Sequence, residues 1–119
     1  MPFRRVDSLL PLTPIAFEIL LALIDGDLHG YAVLQQVEER AGFALPLRTG
    51  TLYRALARLM EDALIEQVDG DATDPRRRYY RLTTLGRDTA RAEAERLEDQ
   101  VQMARRRKLL TGPKPDQKR

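Results

Sequence analysis

Two arginines one helical turn apart, Arg54 and Arg58, lie in the stretch Arg48 to Ile65, RTGTLYRALARLMEDALI. At about 100° per residue, Leu52, Leu56, Leu59 and Ala63 fall in one narrow sector, while Thr51, Arg54, Arg58 and Glu61 point the other way. One face is made for a core. The other carries two guanidinium groups and a hydroxyl with only the small Ala55 and Ala57 beside them, so it could approach a surface closely. The major groove of duplex DNA is such a surface, because arginine reaches guanine edges or phosphates and threonine serves either. Tyr53, at the edge of the core face, can pack its ring and extend its hydroxyl to a phosphate. An arginine-bearing helix face is also an ordinary solvated face, so this helix alone leaves both readings open.

Other chemistries find little support in the 119 residues. There is no cysteine, hence neither a disulfide framework nor a thiolate metal site, and a reducing cytosol is the expected compartment. With His29 the lone histidine and Ser8 the lone serine, neither a nucleophile triad nor a metal cluster can be assembled, and no glycine-rich phosphate cradle is present. No enzymatic activity, metal or cofactor is expected. The apolar run 15–24 is interrupted by Glu18 and falls short of the roughly 20 residues a membrane span needs. No signal-peptide cleavage pattern follows it, and no membrane partner is expected. The net charge of +2 is a weak overall field, but its components are segregated. RRRYYR at 76–81 and RRRK at 105–108 are basic, whereas 61–74 holds Glu61, Asp62, Glu66, Asp69, Asp71 and Asp74.

The elements that must position the arginine face can be read in order. Residues 1–12 form an arm with two prolines, expected to be extended, whose Arg4 and Arg5 either fray, pack on a partner subunit or touch DNA. Thr13-Pro14 starts a helix that should run to about Asp25, with so thin a polar stripe that it must be covered on most sides. A second helix, from about His29 to Ala41 and stopped by Gly42, turns Val33, Leu34 and Val37 inward. Tyr31 reads as core and His29 as a helix-start residue. Phe43, Leu45 and Leu47 make an extended connector into the organising helix, which completes a helix-turn-helix order.

Beyond Ala63 the period changes to two: Ile65–Val68 and Arg78–Leu82 read as a hairpin whose polar tip runs from Asp69 to Pro75. Alternation puts Tyr80 on one face and Arg77, Tyr79 and Arg81 on the other, so one tyrosine packs and the other stays beside basic groups. Thr83-Thr84 then opens a helix extending to about Leu110, on which Ala90, Ala94, Leu97, Val101 and Ala104 make a heptad seam flanked by charges such as Glu93 and Arg96. Such a seam needs another helix, and a second copy of the chain is the expected partner, with Ile15 and Ile19 of the first helix adding to the surface. The organisation is therefore an arm (1–12), a winged helix-turn-helix domain (13–82), a C-terminal dimerisation helix (83–110) and a disordered tail (111–119). The fold class is α+β, mostly α.

Three stretches also carry a family resemblance: LTPIAFEILLALIDGDLHGYAVLQQVEE (12–39), GTLYRALARLMEDALIE (50–66) and RRRYYRLTTLGR (76–87). In them stand His29-Gly30-Tyr31, then Gly50, Thr51, Leu52, Tyr53, Leu56 and Leu59, then Tyr80, Leu82, Thr83 and Gly86. The sequence resembles the PadR family of bacterial transcriptional regulators from about residue 12 to 108. The resemblance implies a winged helix-turn-helix repressor that dimerises through its last helix, binds a palindromic operator in double-stranded DNA and is often released by a small aromatic or drug-like effector. The DNA-binding candidates are Thr49, Thr51, Tyr53, Arg54, Arg58, Arg77 and Tyr79. The rival to this reading is a winged helix serving as a protein-interaction module, its arginines gripping acidic partner surfaces.

Overall fold

The computed structural model describes residues 6–42, 48–70 and 78–111. The first helix, α1 (Pro14–Ala22), begins where Thr13 accepts the Ala16 amide through its hydroxyl at 3.1 Å and Pro14 takes a position that needs no amide donor. It ends at Ala22 rather than Asp25, because Leu23 to Asp25 turn toward a short strand, β1 (Leu28–His29), that no alternation in the sequence announces. Two residues are too few to display a period.

Helix α2 (Gly30–Ala41) is capped by His29, whose Nδ1 accepts the Ala32 amide at 3.2 Å, and it closes at Gly42 with a φ of 51°. Val33 and Val37 are buried, as their spacing predicts. Tyr31 is not: it stands 62% exposed, on the outer face of the first turn. Helix α3 (Thr49–Glu61) buries Leu52, Leu56 and Leu59 completely or nearly so. The predicted fourth core residue, Ala63, is exposed with a left-handed φ of 63°. Helical spacing fails there because the chain has already left the helix, and the Leu64 amide reaches back to the Leu59 carbonyl at 2.9 Å as the chain enters β2 (Ile65–Val68).

Strand β3 (Tyr79–Leu82) pairs with β2 in the register Ile65↔Leu82 and Val68↔Tyr79, and with β1 on its other edge in the register Leu28↔Tyr80 and His29↔Tyr79. The sheet is thus antiparallel in the order β1-β3-β2. Tyr80 is buried in the core and Tyr79 is half-buried, so the alternation expected of this strand separates the two rings. The connector 43–47 and most of the hairpin tip, 71–77, lie outside the described residues.

Helix α4 (Thr84–Arg106) starts at Thr83, whose hydroxyl accepts the Gly86 amide at 2.9 Å and donates to the Ala63 and Leu64 carbonyls. Gly86 lies against the Leu64 carbonyl so closely that a Cβ would overlap it, which ties α4 to the end of α3. The helix ends at Arg106, short of Leu110. The arm expected to be extended contains a 3-10 turn, Val6–Leu9, and this turn packs on α4 of its own chain. Glu93, expected on the solvated flank of the seam, is only 2% exposed. It accepts the Leu12 amide at 3.3 Å and two bonds from Arg96 at 2.9 and 2.7 Å, which satisfies a charge that burial would otherwise disfavour. The core between these elements is one cluster, centred on Ile19, Leu20, Leu52, Leu56 and Ile65.

Candidate nucleic-acid interface

Three of the four helices close their N-termini with their own side chains: Thr13, His29 and Thr83. Helix α3 does not. Its first turn follows Arg48 with no side-chain cap, and Thr49 and Gly50 are exposed, so amide donors at the positive end of the helix dipole face outward. That is the electrostatic arrangement that attracts phosphate. Arg54 is exposed one turn further on; its guanidinium touches the Thr51 hydroxyl at 3.4 Å and meets no carboxylate among the described residues. Arg58, one more turn along, is 75% exposed in its side chain and makes one 3.4 Å contact through Nε with Asp62.

The structure therefore brings Thr49, Thr51, Arg54 and Arg58 onto one helix. Beneath them, Leu52, Leu56 and Leu59 anchor the opposite face, each buried leucine contributing about 1.5–3 kcal/mol. Tyr53 is 47% exposed and lies over the start of α2: a Cβ on Gly30 would come within 2.5 Å of its hydroxyl oxygen. Glycine at position 30 thus lets α3 rest against α2, a role the sequence hints at only through the adjacency of His29, Gly30 and Tyr31.

The hairpin contributes less than its basic run suggests. Arg77 lies outside the described residues. Tyr79 packs edge-to-face against His29, with centroids 5.6 Å apart and planes at 90°, which commits the ring to the β1–β3 pair. Arg81 is held by both oxygens of Asp27 at 3.2 and 2.9 Å, a pairing that sustains its protonation and that sequence reasoning missed because the partners are far apart in the chain. Burial pushes the Tyr80 phenol above its ordinary value, and its bond with Gln67 acts in the opposite sense. The Glu93 carboxyl is held below its ordinary value, first by the Arg96 hydrogen bonds and further by the Leu12 amide, against the opposing effect of burial.

Of the residues expected at a dimer surface, Ile19 and Ala90 are 0% and 3% exposed and belong to the core of a single chain. Packing against α3 and the sheet claims the inward side of both helices before a partner could. Ile15, Leu97 and Ala104 are half-buried, whereas Ala94 is exposed and Val101 is 42% exposed. Between α1 and α4 runs a groove of about 180 Å³ lined by Leu21, Ile24, Ala90 and Ala94 with Arg87 and Arg91 at its edge. Among the described residues, no helix is long and apolar enough to cross a membrane.

Residues 19–92 match the Transcriptional regulator PadR-like family. The chain belongs to that family. Its similarity extends to a PadR family transcription regulator of Clostridium difficile R20291 whose crystal structure superposes with a TM-score of 0.71 at 29% identity, covering 79% of this chain and 97% of that one. A protein of Lysinibacillus sphaericus described as "Uncharacterized protein X" is 34% identical over 70 residues, which is 58% of this chain and 64% of that protein. A Streptomyces fradiae transposon protein is 40% identical over 76 residues, 64% of this chain but 21% of its own length. The chain thus spans less than two thirds of the curated relatives it matches. In this PadR-like winged helix, α2 and α3 form the helix-turn-helix, β2 and β3 the wing, and α4 the long C-terminal helix.

Proposed function

We propose that this PadR-like regulator is a repressor that binds an inverted-repeat operator as a homodimer, reading the major groove with α3. The observation that carries this reading is the outer face of α3, where an uncapped N-terminus, Thr49, Thr51, Arg54 and Arg58 stand together without apolar cover. Arg54, midway along that face, reads a base edge; Tyr53, Arg58 and Arg77 contact phosphates and set the register. The dimer reading is supported by the distal half of α4, where Val101 and Met103 are 42% and 43% exposed on a helix that outruns its own core. Pairing of those faces about a two-fold axis would hold two copies of α3 one DNA turn apart, roughly 34–36 Å. A small aromatic or drug-like effector in the groove between α1 and α4 would rotate the two halves and lower operator affinity.

Two measurements test this. Duplex binding should weaken with salt at a log–log slope of about −0.9 for each phosphate contacted and persist at lower affinity on unrelated duplexes; a salt-insensitive protein that ignores DNA would be an interaction module instead. Leu97→Glu with Val101→Glu should yield a monomer that retains only weak, non-specific duplex affinity. Sedimentation of that variant as an intact dimer with full operator affinity excludes this arrangement of α4.

A further inference from the structure

A second cavity, of about 260 Å³, lies on the other side of α3, between that helix and the N-terminal segment. Its outer wall is the chain from Leu9 to Thr13, and this wall is fastened: the Leu12 amide is bonded to the buried Glu93, and Thr13 caps α1. Its inner surface is apolar, formed by Ala16 of α1, Ala55 and Leu59 of α3, and Leu64. Its charged groups are Arg58 and Asp62, both from the last turns of α3. We propose that this cavity binds a small organic monoanion with an apolar body, and that the occupant competes with DNA for Arg58. The competition rests on the reading of α3 given above; the site itself does not.

The chemistry of the ligand follows from that rim. Asp62 engages Arg58 only through Nε, at 3.4 Å, while the Arg40 and Arg96 pairs use two nitrogens at 2.7 to 3.0 Å. The terminal nitrogens of Arg58 form no ion pair among the described residues and are placed to take a carboxylate, the geometry guanidinium binds best. A dianion is disfavoured because Asp62 stays beside it, and a cation would have to displace Arg58. The volume lies below the roughly 300 Å³ at which pockets for drug-sized ligands begin, so the body is on the order of eight carbon atoms. An occupant pairing with Arg58 removes one cation from the reading face, and duplex affinity falls with it.

The test uses the full chain, with octanoate as the probe and octanamide as its neutral counterpart. Titration without DNA, followed through the methyl NMR signals of Ala16 and Ala55, should show saturable shifts, with octanamide binding at least about tenfold more weakly. Arg58→Gln should abolish the preference for the acid and Arg58→Lys should retain part of it; Ala16→Met and Ala55→Met, each checked for its melting transition, should fill the cavity and block binding. At saturating octanoate the duplex affinity of the unaltered protein should fall about tenfold, with the salt slope reduced by about 1 per site, and that of Ala16→Met should not change. Absence of saturable shifts, equal binding of the amide, or unchanged binding in both filled variants overturns the site. Octanoate bound there without effect on duplex affinity overturns the competition. A protein that binds no duplex at all refutes the proposed function, while the titration without DNA still decides the cavity.

Discussion

The arginines of the scaffold and those of α3 share a side chain and little else. Arg40, Arg81 and Arg96 each engage both oxygens of one carboxylate, on Glu18, Asp27 and Glu93, at 2.7 to 3.2 Å. Arg54 has only a long contact with a hydroxyl, and Arg58 a single long contact with Asp62. A guanidinium already paired on two nitrogens must surrender that geometry before it can take a phosphate, whereas Arg54 has nothing comparable to lose. The same division separates the helix ends, since α1, α2 and α4 are capped from within and α3 is left open. Counting basic residues therefore overstates the wing and understates α3: what marks a recognition surface is positive charge without an internal partner.

The largest effect should come from the scaffold side. Gly86→Ala puts a methyl group into the Leu64 carbonyl, where backbone must move, and should cost at least about 4 kcal/mol in urea unfolding. A loss below about 1 kcal/mol would mean that α4 is not locked to the end of α3 as described.

On the reading side, Arg54→Ala should leave unfolding almost unchanged but cost about 1–3 kcal/mol of affinity for the operator and flatten preference at one base pair. Its counterpart Arg81→Ala should stay within about twofold of the original affinity, because Asp27 already occupies that guanidinium. Equal losses in the two variants, measured by fluorescence anisotropy on operator and random duplexes, would erase the distinction drawn above.

The buried pair on α4 gives a pH signature that α3 lacks. Because the folded Glu93 carboxyl titrates below its ordinary value of 4.5, its contribution to stability is complete above that value and is lost as pH falls through the lower folded value. Thermal melts from pH 6 downward should show this loss flattened in Glu93→Gln. Arg96→Ala should lower the melting temperature at pH 7 more than Glu93→Gln does, since it leaves a buried carboxylate without its cation. Identical pH profiles in the original and Glu93→Gln proteins would deny the pair its role in holding the N-terminal segment.

The smallest effect tests the open end of α3. Arg48 has the extended backbone of an N-cap residue, so Arg48→Ser should supply the missing cap and stabilise the fold by about 0.5–1 kcal/mol. It should also weaken duplex binding, because a serine oxygen then takes an amide donor offered to phosphate. A variant that is more stable and binds as well as the original would show that those amides are not used.

Much of this was legible because it is local. The i, i+3, i+4 spacing of Leu52, Leu56 and Leu59 predicts the buried side of α3, and the period of two in β3 separates Tyr80 from Tyr79. Thr13 and Thr83 mark helix starts because a cap needs only the residue three positions ahead. Tertiary structure decided the rest. Ala63 continues the leucine spacing yet lies past the helix end, and Tyr31 is apolar enough for a core that other side chains fill. Ile19 and Ala90 could have served a partner's surface or the chain's own, and packing against α3 and the sheet settled it. The amide of Leu12 meets the carboxylate of Glu93 across 81 positions, and Arg81 meets Asp27 across 54. Periodicity reports the direction a side chain takes from its own helix or strand, and contacts between distant segments form only when the elements are stacked, so no spacing in the sequence encodes them.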